Sequence, residues 1–343
     1  MMNKIQQLRA SAFFHDPPSP LAAENKEQKT IMRSIRRHFL SAVLFLSILV
    51  FCCACGKEPA EKQAAPGSFR YEPGKTRVLV PEADGAVTVG SDPLILDFSH
   101  ADQGYFSGTL MEPGKKINIQ LTGPDNIIYK YFLDTADVCT TFPFTAGDGD
   151  YLVLAFENIG NDQYASLFSY SLSVQLENEF LPFLYPNQYV FFTDKSAAVQ
   201  LASEITADCA TDLDALQVIY GYVTGHITYD DEKAATVETG YLPDIDETLR
   251  TGTGICFDYA ALTAAMLRSL SIPARLEIGY SSNVRHAWID VFIESVGWVE
   301  HAVEFNGKEW KLMDPTFAAA AENSEEINEY IGDGSNYTLQ YIR

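Results

Sequence analysis

The stretch TGTGICFDYAALTAAMLRSLSIPARLEIGY, residues 251–280, decides the fold of this chain. A glycine-bearing loop leads into a run of strong helix formers that starts at Cys256 and ends before Pro273. The long apolar side chains of this run recur every four residues, at Leu262, Met266 and Leu270. The spacing predicts a helix that packs in a core, with Cys256 in its first turn.

Strands are predicted on the C-terminal side of this helix. The chain alternates in period two over His286–Glu294, which places His286, Trp288, Asp290 and Phe292 on one face of a strand. Asn306-Gly307 is a strong hairpin signal, and Asp314-Pro315 ends the strand that follows it. The predicted strands are Arg275–Tyr280, His286–Glu294, Trp298–Phe305 and Glu309–Met313.

Short β-branched and aromatic runs separated by turn residues fill the region on the N-terminal side. Such spacing predicts an antiparallel β-sandwich over residues 75–180. Helices at Asp194–Thr206 and after Thr211 then open a second domain, residues 181–343, so the fold class is α+β. The strand-like runs are Arg77–Val80, Ile117–Leu121, Ile127–Phe132, Tyr151–Phe156 and Leu167–Val174.

Cys256 is the candidate nucleophile. A cysteine at a helix N-terminus meets the positive end of the helix dipole and unpaired N–H groups, which favour a thiolate and can donate to an oxyanion. A thiolate of this kind needs a base and a residue that orients the base. His286 at a strand start and Asp314 at a strand end are the candidates, although spacing alone does not bring them together.

Three segments together resemble the transglutaminase-like superfamily. They are the stretch at 251–280, RHAWIDVFI around His286 and WKLMDPTF around Asp314, and the resemblance covers about residues 193–320. It implies a papain-like α+β domain with Cys256 as nucleophile, His286 as general base and acid, and Asp314 orienting the imidazole. Calcium-binding insertions of the large animal transglutaminases have no counterpart, so no metal or cofactor is implied.

Several residues near these motifs have competing interpretations. His301 is a second histidine between the motifs, but only His286 is followed by Ala-Trp. Asp258 is interpreted as a structural capping or pairing residue, and Tyr241 is the candidate for a side-chain oxyanion donor. A helix-terminal role is expected for His226. Cys139 and Cys209 are expected to be buried small hydrophobic residues.

The first 55 residues resemble a targeting segment. Residues 1–31 form a polar extension, and Met32 would be a natural start. Residues 32–55 then read as a signal peptide with an arginine-rich start, an apolar stretch and an Ala54-Cys55 junction. This order resembles bacterial surface lipoproteins, in which the cysteine is lipidated, although Cys52 stands where such junctions usually have leucine. Residues 56–74 are expected to be a linker to the fold.

Charge limits the partners. The formal net charge is −22, and the first 55 residues carry a net +4, so the remainder carries −26. A chain this acidic is repelled by nucleic acid. The expected partners are a protein or peptide substrate, including cell-wall peptide, and a membrane reached through the lipid on Cys55 at the extracellular face.

Three functional hypotheses follow. The first is a cysteine enzyme that forms a Cys256 thioester with an amide, with hydrolysis favoured over crosslinking because no amine-binding feature is visible. The second is a catalytically silent module that binds peptides or cell-wall components. The third, the least favoured, is a zinc site made by Cys256, His286 and Asp314, since the helix-start cysteine and the His-Ala-Trp context suit acyl transfer better.

Overall fold

The N-terminal half of the fold consists of strands. In the computed structural model, the described residues are 69–161, 163–238, 240–281, 284–300, 303–305, 310–312 and 337–343. Strands of the first half are β1 (Thr88–Ser91), β2 (Leu94–Asp97), β3 (Tyr105–Leu110), β4 (Ile117–Thr122), β5 (Ile128–Leu133), β6 (Cys139–Pro143), β7 (Gly149–Gly160) and β8 (Gln163–Val174). Short 3-10 turns occupy Ala101–Gln103 and Leu181–Phe183.

These strands form two antiparallel sheets, in the orders β1-β2-β3-β6 and β5-β4-β7-β8. Aromatic rings fill the space between the sheets. Phe142 of β6 lies 5.1 Å from Phe106 of β3 and 4.9 Å from Tyr131 of β5, measured between ring centroids, and all three are buried. The antiparallel sandwich is therefore held by aromatic contacts between its two inner faces.

Two expectations for this half are wrong. Arg77–Val80 is not a strand; Arg77 N–H instead donates to the Ser269 carbonyl over 2.7 Å, so the segment follows the second half of the fold. Cys139 is exposed, because it opens an edge strand, whereas Cys209 is buried as expected.

The second half combines five helices with short sheets in the part of the chain that the structure describes. The helices are α1 (Ala197–Ile205), α2 (Asp212–His226), α3 (Asp231–Thr236), α4 (Ile245–Thr251) and α5 (Cys256–Ser269). The strands are β9 (Thr228–Tyr229), β10 (Thr253–Gly254), β11 (Ala274–Ser281), β12 (Val284–Ile293), β13 (Gly297–Val299), β14 (Val303–Phe305), β15 (Trp310–Leu312) and β16 (Tyr337–Ile342). The mixed α+β class with antiparallel sheets is confirmed.

The main sheet of this half has the order β13-β12-β11-β16, and its neighbouring strands are all antiparallel. β14 and β15 pair as the hairpin predicted around Asn306-Gly307. The predicted single strand Trp298–Phe305 is wrong, because β13 joins the main sheet whereas β14 joins the hairpin. Thr211 and Asp214 form the predicted capping box of α2, and this helix ends at His226, whose Nδ1 lies 2.9 Å from the Tyr222 carbonyl oxygen.

Helix α5 is the centre of the second half. All 14 of its residues are buried, although its sequence suggested a single apolar stripe. α1, α2, β11 and β12 all pack on it. Burial from all sides explains why its small residues, such as Ala260 and Ala264, are required where a surface helix would carry polar ones.

Two buried arginines join elements that are distant in sequence. Arg343 places its guanidinium carbon 4.7 Å from the ring centroids of Tyr131 and Tyr189. Arg268 donates to the carbonyl oxygens of Ala274, Tyr185 and Arg343 over 2.9 to 3.0 Å. The predicted division into domains at residue 180 stays a prediction.

The predicted targeting segment lies outside the described residues, and with it the extension 1–31, the signal peptide 32–55 and Cys55. Among the helices that the structure describes, none combines the length and apolarity needed to cross a membrane.

We expect Arg268→Met to lower the free energy of unfolding by about 3 kcal/mol or more. The apolar side chain would remove three buried hydrogen bonds, and of the three carbonyl acceptors the Arg343 oxygen keeps the Leu276 N–H as a donor. Arg250→Met is the matched control, because Arg250 is exposed and forms a surface ion pair with Glu247, so its effect on stability should be small. Urea denaturation measures both, and equal losses would contradict the anchoring role.

Candidate active site

The loop that leads to Cys256 is held by backbone pairing. α4 ends at Gly252, whose φ of 65° is the left-handed conformation that glycine adopts readily. β10 then pairs in parallel with β9, and Asp230 N–H donates to the Gly254 carbonyl over 2.9 Å. Cys256 follows as the first residue of α5, with 8% of its surface exposed.

Asp258 holds the start of α5 in place. Its carboxylate is fully buried and accepts from Lys233 Nζ over 2.7 Å, from Tyr241 O–H over 2.5 Å and from Ile255 N–H over 2.8 Å. The last contact is the carboxylate half of a capping box, because the Ile255 side chain can accept nothing in return. The structural interpretation of Asp258 is confirmed.

Gly254 permits this packing. A Cβ at Gly254 would lie 2.8 Å from the Cβ of Asp258 and 3.3 Å from Cγ2 of Thr248. A larger residue would push the Asp258 carboxylate away from its three donors. The Gly-x-Cys pattern of the sequence thus has a steric cause two residues beyond the cysteine.

Tyr241 belongs to the same cluster. Burial, followed by the charge and hydrogen bond of Asp258, raises the pKa of Tyr241, so its phenol stays neutral and donates to that carboxylate. Lys233 Nζ lies 2.7 Å from its oxygen and 4.6 Å from its ring centroid. To serve as an oxyanion donor, Tyr241 would have to release Asp258; that role stays a prediction.

Chain direction indicates that Cys256 and His286 belong to the same end of the fold. α5 is followed after four residues by β11, and β11 and β12 both pack on the helix. A connection this short requires β11 to run back along the helix, and β12 is antiparallel to β11. β12 therefore runs parallel to α5. The 14 residues of α5 span about 21 Å. From His286 to Val291, which pairs with Ala274 beside the end of α5, is about 17 Å.

His286 lies in a closely packed pocket of the sheet, and 5% of its surface is exposed. Its ring centroid is 6.2 Å from that of Trp288 and 6.2 Å from that of Tyr337. Gly279 pairs with His286 across the strands, and a Cβ there would lie 2.7 Å from Cη2 of Trp288 and 2.1 Å from the Thr338 oxygen. Glycine is needed because the indole lies directly against the Gly279 backbone beside the imidazole.

A buried pair of carboxyl groups continues the face of the sheet that carries His286. Glu277 pairs with Trp288 across the strands, Arg275 pairs with Asp290, and Glu277 and Asp290 are both buried. Burial, and then the charge of Asp290 and a hydrogen bond with it, raise the pKa of Glu277. Glu277 thus holds a proton between the two carboxyl groups at neutral pH.

Two members of these clusters were not predicted from the sequence. Glu277 could have been found by extending the period-two pattern from β12 to β11, which places it on the face of His286. Lys233 has no local signal, since it is a charged residue on a short helix 25 residues before its partner Asp258.

The third residue of the predicted triad, Asp314, lies outside the described residues, as does His301. The triad therefore stays a prediction. In the described ranges, no group of three His, Cys, Asp or Glu side chains is placed to hold a metal ion.

Residues 199–302 match the family model of the transglutaminase-like superfamily. This part of the chain is a transglutaminase-like domain. Cys256 and His286 fall inside the matched range of the transglutaminase-like domain, and Asp314 falls beyond it. No curated protein matches the chain.

Solved structures with some similarity include a candidate cysteine protease from Cytophaga hutchinsonii, with 16% identity, a TM-score of 0.36, and coverage of 75% of this chain and 84% of the other. A candidate protease from Parabacteroides distasonis has 10% identity, a TM-score of 0.26, and coverage of 60% and 63%. Red sea bream transglutaminase has 15% identity, a TM-score of 0.25, and coverage of 62% and 48%.

We expect the Glu277→Gln variant to lose less stability than the wild type between pH 5 and pH 8. A raised pKa means that the folded state keeps a proton that the unfolded chain releases above about pH 4.3, so wild-type stability falls as the pH rises through this window. The difference should reach about 1 kcal/mol or more in urea unfolding. The exposed Glu204→Gln variant is the control and should follow the wild type. Parallel curves for wild type and Glu277→Gln would exclude a proton held on Glu277.

Proposed function

We propose that this chain is a cell-surface cysteine acyl-transfer enzyme that acts on an amide of a peptide or protein, with water as the main acyl acceptor. The observation that carries the proposal is the position of Cys256 at the first residue of a wholly buried helix that packs on the strand carrying His286. The match of residues 199–302 to the transglutaminase-like superfamily supports it.

The reaction has two steps. The sulfur of Cys256 attacks the amide carbon, a C–S bond forms, and N–H groups at the start of α5 stabilise the oxyanion. The C–N bond then breaks as His286 gives its proton to the leaving amine. In the second step water loses a proton to His286 and attacks the thioester carbon, and the thiolate of Cys256 leaves. Asp314 is proposed to orient the imidazole throughout.

A silent binding module is the second candidate. The small exposed fractions of Cys256 and His286, 8% and 5%, favour it, because a substrate amide must reach the sulfur. In this case the domain would bind peptides or cell-wall components without turnover, and substitution of Cys256 would leave binding unchanged.

We expect Cys256→Ala and His286→Ala to abolish turnover almost equally, because nucleophile and base act as a unit. Asp314→Ala should lower activity by orders of magnitude, but less than the other two variants, so some activity should remain. The measurement is kcat/KM for release of fluorescent peptides from labelled casein, with incorporation of monodansylcadaverine into casein assayed in parallel to detect crosslinking.

His301→Ala is the matched control, since this histidine lies between the motifs and should change activity only a few-fold. If His301→Ala were inactive and His286→Ala active, the proton-transfer residue would be His301 and the proposed triad would be wrong. Full activity in all four variants would place the site elsewhere, and circular dichroism checks that each variant folds.

We also propose that Cys55 carries lipid and anchors the mature chain at the extracellular face of the membrane. The arginine-rich start, apolar stretch and Ala54-Cys55 junction support this. Cys55→Ser should move the protein out of the membrane fraction or stop its processing, as judged by fractionation and intact mass. Unchanged mass with normal membrane retention would contradict the anchor.

A further inference from the structure

The buried carboxylate of Asp258 creates an electrostatic difficulty for a nucleophile at Cys256. Both residues lie in the first turn of α5, and one turn rises about 5.4 Å. A carboxylate removed from water at this distance disfavours a second negative charge, because like charges within a few ångströms oppose one another's ionisation. Asp258 would also use the positive field of the helix start that a thiolate requires.

Lys233 neutralises the negative charge of Asp258. Its ammonium contacts the carboxylate over 2.7 Å while 30% of the lysine side chain is exposed, so the cation keeps part of its hydration. Tyr241, the third member of the cluster, donates as a neutral phenol and adds no charge. The net charge of Lys233, Tyr241 and Asp258 together is therefore close to zero.

Other charged groups near this end of the domain have partners of their own. Asp244 caps α4 by accepting from the backbone of Asp246 and Glu247. Glu247 forms an ion pair with Arg250 on the surface. Tyr259, next to Asp258, has its pKa raised by burial and donates to the Ile227 carbonyl. From β12, His286 is the group proposed to exchange a proton with Cys256.

We propose that Lys233 is a positioning residue for the nucleophile, which cancels the charge of Asp258 and thereby leaves the field at the start of α5 to the Cys256 thiolate. This inference rests on the proposed function, because it assigns a thiolate to Cys256. It adds a residue that lies on a different helix and touches neither the sulfur nor a substrate in the proposed mechanism. Ion pairing thus lets one helix start hold two anions at once.

The test is the pH dependence of Cys256 alkylation by iodoacetamide, followed by peptide mapping on the whole chain. Lys233→Met should move the midpoint of this profile up by about one unit, with about a tenfold slower reaction at pH 6. Lys233→Arg should keep the wild-type profile. Lys195→Met, at an exposed lysine of the same domain, is the matched control and should change nothing.

Two variants at Asp258 separate electrostatics from structure. Asparagine can still accept from Ile255 N–H, so Asp258→Asn keeps the cap and should move the midpoint down by leaving Lys233 uncompensated. The double variant Lys233→Met/Asp258→Asn should return the profile to the wild-type position. The downward shift of Asp258→Asn separates the two roles, because loss of a purely structural ion pair would not lower the midpoint below that of the wild type.

The inference is overturned if Lys233→Met keeps the wild-type midpoint, or if the double variant is as impaired as Lys233→Met. Should Lys233→Met fail to fold, a midpoint for Asp258→Asn at or above the wild type overturns it equally. The proposed function fails separately, when wild-type Cys256 reacts at pH 6 no faster than the buried Cys209. The midpoint shift can still be measured in that case at higher pH.

Discussion

The fully buried first turn of α5 is the constraint on which the rest of this domain depends. A helix start carries N–H groups that have no acceptor within the helix, and at a buried helix start water cannot supply the acceptors. The Asp258 carboxylate accepts a hydrogen bond from one of these groups, the Ile255 N–H. Its remaining lone pairs also need donors, and Lys233 and Tyr241 supply them. The loop between α3 and α4 and the glycine at 254 are arranged around this one carboxylate.

This arrangement has a direct consequence for chemistry. A nucleophile at a helix start gains from the dipole only if nearby charges do not consume its field. Without Lys233, the Asp258 carboxylate that organises the turn would consume this field. Stability and reactivity therefore compete at Asp258, and the ion pair with Lys233 reconciles them by neutralising the charge without removing the cap.

The opposite edge of the proposed site follows a similar logic. His286 lies on a sheet face that the sequence pattern assigns to the more polar side of β12, yet this face is buried too. The connector before α1 covers it: the Phe180 ring is tilted against that of Phe292 with centroids 4.4 Å apart, and Phe183 packs against Arg275. Glu277 and Asp290 can remain in such a place because they share a proton and hydrogen bonds instead of carrying two charges.

The short helices α3 and α4 were not predicted, but local sequence determined α1, α2 and α5, the strands β4, β5, β7, β8, β11 and β12, the capping box of α2 and the place of Cys256 at the start of α5, because propensity, periodicity and capping act over a few residues. It did not foresee that α5 is buried on all sides, that Arg77–Val80 is not a strand, or that Lys233, Tyr241 and Asp258 meet. These features join residues 17 to 25 positions apart, or different halves of the chain. Only the tertiary packing decides which distant side chain pairs with a buried charge, because the position of a single lysine in the sequence does not indicate which carboxylate it will contact.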